Sequence, residues 1–391
     1  MKSSGGQRLL ALDHLRALAA ILVFYWHGMH SMGVRYDYVA GDWFTSLIEE
    51  GWVGVSLFMA ITGFMFTVLT HGREIHYGQF LLNRFLRIFP LLFLVTLYSA
   101  TYNKSASHSM MLLFNLLGGG VVFGTWTLVV EAQFYLAYPF IRDKLVRMRD
   151  GNVVWWATIF SCAALVLLMT ILRAAYWYKT GEAQTMSYWT IFGRTDDFVS
   201  GIIAGLIYLR FRNRPRIWWS PIALAVSVLA LLWLNSIFAQ TGGFYNRPEY
   251  PSPSPLWIIY PTISAIAWSS LILTYCLFGR HFEGTLARAI GYLGAISYST
   301  YMLHFVVLIF AKQAAESLGF LRLLPGRALE NALLVLTIWH LPITLILAAI
   351  SYELIEKAFL NKRRPYLGPR QGSTPAMPQG AGLSPSGAPA P

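Results

Sequence analysis

Residues 109–124 read SMMLLFNLLGGGVVFG, and whether this stretch crosses a membrane decides the fold of the whole chain. It is apolar but short, and Gly118, Gly119, Gly120 and Gly124 weaken a helix and suit a re-entrant or irregular segment. Around it lie ten longer apolar runs, at about 15–32, 51–70, 85–103, 126–142, 153–177, 190–210, 217–238, 256–278, 290–311 and 328–356. Basic residues arbitrate. If 109–124 does not cross and the N-terminus is cytoplasmic, twenty Lys and Arg fall in inside segments, eight in outside segments (Arg173 among them), and Arg16 and Arg194 within spans. A crossing at 109–124 would instead put the clusters at 142–149 and 210–216 outside, against the positive-inside rule. The expectation is an all-α polytopic transmembrane helix bundle of about ten spans with both termini cytoplasmic.

Composition agrees. The 391 residues are 56% hydrophobic and 12% charged, whereas a soluble domain carries about a quarter charged residues. The 30 Lys and Arg against 18 Asp and Glu leave a charge of +12, but they sit in short clusters between apolar runs, which is membrane topology and not a nucleic-acid surface. Membrane lipids are thus an expected partner. Cys162 and Cys276 both lie in apolar runs, so neither a disulfide framework nor a thiolate metal cage is expected. Asp13, His14 and Arg16 interrupt the first run where a signal peptide would be apolar, so it reads as a retained span. Residues 1–8 are then a cytoplasmic N-terminus, 9–360 the transmembrane body, and 361–391, rich in Pro, Gly, Ser and Ala from Gly368 on, a disordered cytoplasmic tail.

Ionisable groups inside spans are costly unless they face the bundle interior, so each is a functional candidate. Arg16 and His27 are eleven residues apart, three helical turns plus roughly 20°, and share a face with about 16 Å between them. Arg84 and Arg87, three apart, share a face at the start of another span. With Arg16 they could hold phosphates, although positive-inside bias alone also explains them. Glu131 is a lone carboxylate in an apolar run, at about the depth of His27 and His304. Arg194, Asp196 and Asp197 read more readily as a structural ion pair than as catalysts. Thr62 belongs to a strip of small and hydroxyl residues that serves close helix packing or lines a polar cavity. His340 has no partner of matched depth and reads as structural. No His and carboxylate pair sits at metal-ligand spacing on one helix.

Six motifs in order over about residues 9–360 make the chain resemble the acyltransferase family 3 membrane proteins, which O-acylate bacterial surface and exported glycans, nodulation factors and some antibiotics. They are Leu12-Asp13-His14-Leu15-Arg16 with His27; Gly51-x-x-Gly54-Val55 to Thr62-Gly63-Phe64; Arg84-x-x-Arg87-x-x-Pro90; Trp126 to Pro139 with Glu131; Arg194-x-Asp196-Asp197-Phe198 with Gly201; and Ser297-Tyr298-x-x-Tyr301-x-x-His304. Two positions depart from the usual pattern: His14 stands for Gly, and Thr62 for Ser.

The resemblance implies an integral-membrane O-acyltransferase of the bacterial cytoplasmic (inner) membrane. It would move an acyl group, most simply acetyl, from acyl-CoA to a hydroxyl of a glycan, an exported polysaccharide or a lipid-linked saccharide. Arg16, Arg84 and Arg87 would hold the donor phosphates, His27 would act as general base, Glu131 would orient or charge its imidazole, and His304 would bind the acceptor or serve as a second acid/base. Direct transfer and a transient acyl-imidazole are both open. Neither metal nor nucleic acid enters. The rival is a glycan or lipid-linked transporter or flippase with a buried polar pathway, which the lack of an internal repeat weakly disfavours.

Overall fold

The computed structural model describes residues 9–35, 41–102, 125–149, 152–214, 219–245, 249–278, 282–319 and 321–370. Backbone in lipid must satisfy its own hydrogen bonds, and the apolar runs do so as helices. These are α1 (Leu10–Ser31), α2 (Trp43–Glu49), α3 (Gly54–Thr70, entered through the 3-10 turn Gly51–Val53), α4 (Tyr77–Tyr102), α5 (Trp126–Leu145), α6 (Trp155–Thr180), α7 (Gln184–Trp189), α8 (Ile191–Phe211), α9 (Ser220–Gln240), α10 (Leu256–Phe278), α11 (Thr285–Ala295), α12 (Ser297–Ser317) and α13 (Ala328–Leu360). Within α13 the turns Leu336–His340 and Tyr352–Glu356 are π-helical. Sheet is confined to two short antiparallel pairs among the described residues, β1 (Arg73–Ile75) with β4 (Leu367–Arg370) and β2 (Met148–Arg149) with β3 (Asn152–Val153).

Nine of the ten longer apolar runs coincide with one long helix each, the run 290–311 falls across the break between α11 and α12, and the chain is an all-α, multi-pass membrane bundle. Six helices among the described residues are long and apolar enough to cross a membrane; the bent pair α11 and α12, at 63° to one another, would make a seventh span. The other long helices, α1, α5 and α8, also carry ionisable groups: buried Asp13 and His14 with half-buried Arg16; half-buried Glu131; and buried Arg194, Asp196 and Asp197. The stretch 109–124 lies outside the described residues.

Packing sorts the helices into core and rim. Of the apolar window in Gly51–Thr70, 78% is buried, against 17% in α6, whose Trp156, Phe160, Leu167 and Ile171 form an exposed stripe suited to lipid. Lipid is as apolar as leucine, so tight packing and polar contacts must hold the core together. The crossing of α3 and α8 shows the first: a Cβ on Gly63 would run into the Phe198 carbonyl, and one on Gly201 into the Ala60 carbonyl. That approach lets Phe198 stack on Phe134 of α5, with ring centroids 3.9 Å apart and 8° between planes.

Buried ion pairs supply the second. Arg173 of α6 is fully buried and meets Asp196 of α8 at 2.9 Å, with further hydrogen bonds to Thr262 Oγ1 (3.0 Å) and the Ile258 carbonyl (2.9 Å) on α10. Three helices are thereby clamped. This corrects the placing of Arg173 among outside-segment residues, because charge counting sees only its position near a helix end and not the aspartate that draws it inward.

The C-terminal segment also differs from expectation. Residues 361–370 are not a disordered tail: Leu367–Arg370 pairs with β1, Tyr366 is fully buried, and the Tyr366 carbonyl accepts the His76 N–H (2.9 Å). Pro and Gly composition suggested disorder, but the backbone groups of β1 give this segment a partner.

Candidate active site

A partly open cavity, about 690 Å³ counting the open space at its mouth, lies among α1, α3, α4, α5 and α12. Its walls bring together Arg16, Thr62, Arg84, Arg87 and Glu131, five of the residues singled out in the sequence, with Thr127, Tyr135, Ser297, Tyr298 and Tyr301. Helical spacing does the local work. Arg84 and Arg87 sit three apart on one face of α4, and Glu131 and Tyr135 sit four apart on α5, where the Tyr135 hydroxyl donates to the Glu131 carboxylate (2.5 Å).

Each arginine is held differently. Arg16 reaches Asp13 Oδ1 at 3.4 Å and Met65 Sδ at 3.2 Å. The Arg84 guanidinium is caged by the rings of Phe66, Phe80 and Tyr366, at 5.2, 5.5 and 5.9 Å from their centroids, and its Nε is buried without a hydrogen-bond partner. Arg87 makes no hydrogen bond or salt bridge among the described residues. The charges acting on Glu131 are those of Arg87, Arg16 and Arg84. A cavity of this kind favours an anionic, partly apolar guest, because guanidiniums removed from water gain most from a charge they can face directly.

Tyr301 joins this cavity to a histidine pair. Its hydroxyl accepts from Thr127 Oγ1 (2.9 Å), its ring lines the cavity, and its carbonyl faces His304 Nδ1 at 2.6 Å. His304 is buried, and its Nε2 lies 3.1 Å from His27 Nδ1, which also faces the Val23 carbonyl at 3.0 Å. Two carbonyls that only accept assign the protons of a neutral pair. His304 must carry its proton on Nδ1, leaving Nε2 as acceptor; His27 must then carry its proton on Nδ1, shared between Val23 and His304. The lone pair of His27 is left on Nε2. Phe305 and Trp26 pack on the His27 ring, at 4.4 and 4.6 Å between centroids.

Among the described residues Glu131 and His27 make no hydrogen bond to each other, contrary to expectation: Glu131 bonds Tyr135, and His27 bonds Val23 and His304. Depth along the membrane matched, but the two side chains serve different parts of the site. Arg194, Asp196 and Asp197 do not line the cavity. Arg194 donates to Ser56 Oγ (2.8 Å) and the Tyr188 carbonyl (2.9 Å), meets Asp197 at 3.4 Å and lies against the rings of Tyr188, Trp126 and Trp52. These contacts are buried and lie away from the cavity. His340, fully buried in a π-helical turn of α13, faces the Val335 carbonyl at 3.4 Å.

Several residues escaped the sequence reading. Tyr135 was visible as the hydroxyl one turn from Glu131, and Tyr301 stood in the quoted Ser297 to His304 motif. Glu356, which is buried and accepts from Ser299 Oγ, gave no signal, since at the end of α13 beside Lys357 it looks like an interfacial charge. Among the described residues, no group of three or more His, Cys, Asp or Glu side chains could hold a metal ion.

Comparison with known proteins follows from this geometry. The sequence profile described as "Acyltransferase domain" matches residues 9–353. A Bacillus subtilis (strain 168) protein named "Putative peptidoglycan O-acetyltransferase YrhL" is 20% identical over 384 residues, covering 88% of this chain and 54% of its own length. The chain therefore spans about half the length of that relative. No solved structure matches the chain.

Proposed function

The chain belongs to the acyltransferase-domain family, and from that premise we propose that it is an integral-membrane O-acyltransferase moving an acyl group, most simply acetyl, from acyl-CoA to a glycan hydroxyl. The observation that carries this reading is the continuity between the arginine-lined cavity and the histidine pair, through Tyr301. Arg84 and Arg87, with Arg16, hold the phosphate-bearing end of the donor, while the acyl end lies toward His27. The His27 Nε2 lone pair takes the proton of the acceptor hydroxyl as its oxygen attacks the thioester carbonyl. A C–O bond forms, the C–S bond breaks, and the proton ends on the departing thiol. His304 acts through His27: its Nε2 accepts from His27 Nδ1 and holds the ring with its other nitrogen toward the reacting oxygen. Glu131 balances the guanidiniums and, through Tyr135, keeps its place in the wall.

The acceptor is a glycan of the bacterial envelope or an exported or lipid-linked saccharide, with the protein in the cytoplasmic (inner) membrane. The name of the Bacillus relative makes peptidoglycan the first acceptor to test. Mass spectrometry of envelope glycans from cells with and without the gene should show an acyl group that depends on it, and the purified protein with acetyl-CoA and the acceptor should release thiol. Unchanged glycans together with no thiol release would overturn the reading. Arg84→Ala combined with Arg87→Ala should raise the donor KM by roughly 10- to 100-fold, about the worth of one or two charge-assisted hydrogen bonds; an unchanged KM would remove these arginines from donor binding.

A further inference from the structure

Residues 361–370 pack back against α4. The Asn83 side-chain amide donates to the Arg364 carbonyl (2.7 Å) while its oxygen accepts the Arg364 N–H (3.2 Å), so the segment is fastened to α4 at the residue just before Arg84. Two residues on, the buried Tyr366 ring packs against Phe80 (5.3 Å between centroids) and closes the aromatic cage of Arg84. Arg363 immediately precedes the fastened residue and donates its Nε to the Leu360 carbonyl (3.0 Å), which leaves the far end of its guanidinium uncommitted.

The charge balance of this corner is unusual. Arg84 and Arg87 lie close enough to act electrostatically on Arg363, while Arg16 is engaged by Asp13. Among the described residues, Glu131 and Glu356 are carboxylates on which Arg87 acts. Burial, and then the nearby Arg87 and Arg84 guanidiniums, push Arg363 down to about 10. Two carboxylates for three arginines leave room for a bound polyanion.

We propose that Arg363–Tyr366 forms a wall of the donor site, in which Arg363 joins Arg84 and Arg87 around the phosphates of the acyl donor and Tyr366 holds Arg84 in position. This rests on the donor reading above. The recognised chemistry is a phosphate group, which a nucleotide-bearing thioester or an anionic lipid headgroup could supply; the cavity beside Arg84, walled by Val55, Phe58, Met59 and Ile88 and also holding the polar Glu131 and Tyr135, favours the thioester arm of a nucleotide-bearing donor.

The test uses the full-length protein in nanodiscs of phosphatidylcholine, with free CoA as probe, by calorimetry. Arg363→Gln should weaken CoA binding about tenfold, the worth of one charge-assisted hydrogen bond, with Arg363→Lys recovering part of it. Tyr366→Ala should weaken binding while Tyr366→Phe stays close to wild type, since the ring and not the hydroxyl faces Arg84. Wild-type affinity in Arg363→Gln, alongside weakened binding in Arg84→Gln, would overturn the wall and leave the donor reading standing. Failure of the wild type to bind CoA would remove both. An Arg363→Gln defect confined to nanodiscs containing phosphatidylglycerol, with CoA binding unaltered in phosphatidylcholine, would assign the phosphate to a lipid headgroup and overturn the proposal.

Discussion

At the scale of single residues, the histidine pair yields the sharpest consequences. Loss of a positioned general base costs roughly 10²- to 10⁴-fold in rate, so His27→Ala should abolish most transfer while leaving the protein membrane-inserted and its thermal unfolding in detergent close to wild type. A normally acylating His27→Ala variant would sink the mechanism. His304 is a positioning residue, and its effect should be smaller: removing one hydrogen bond that orients the ring costs about 1 kcal/mol, or about fivefold in kcat. KM for the donor should stay put in His304→Ala, and Gln, whose amide oxygen can still accept from His27 Nδ1, should restore part of the rate. A change in KM without a change in kcat would show that His304 binds substrate instead. His27, Glu131 and His304 were legible because a polar residue in an apolar run is conspicuous. Their partners were not: matched depth paired Glu131 with His27, whereas hydrogen bonds pair it with Tyr135.

At the scale of elements, polar contacts decide which helices stay together. Arg173 and Asp196 link α6 to α8 and, through Thr262 and Ile258, to α10. Breaking a buried pair by removing one partner costs about 3–5 kcal/mol, because the other charge is stranded. Arg173→Met should therefore lower the unfolding temperature sharply, whereas Arg173→Met with Asp196→Leu should restore much of it. If the double variant is no more stable than the single one, the pair is needed for more than charge compensation. Element positions were readable from hydropathy to within a few residues at most ends. Which face of each helix turned inward was less so, and Arg173 is the case in point, since only a neighbour from another helix distinguishes a buried arginine from an interfacial one.

For the whole molecule, topology is the quantity to measure. Reporter fusions after Lys144 and Arg212 should be active in a cytoplasmic assay, and fusions after Lys179 and Tyr245 in an extracytoplasmic one; the opposite pattern would mean that 109–124 crosses. The sequence by itself determined an all-helical membrane bundle, because lipid leaves the backbone little choice, and it exposed the arginines, Glu131 and the histidines, because charge is scarce where it is costly. Only the tertiary structure decided which of these meet: Arg16, Arg84, Arg87 and Glu131 around one cavity, His27 with His304 beside it, and Arg194, Asp196 and Asp197 in the packing. It also decided that the C-terminal segment closes on Arg84. Such choices depend on helix rotation and on contacts between residues hundreds of positions apart, which hydropathy and spacing along one chain do not encode.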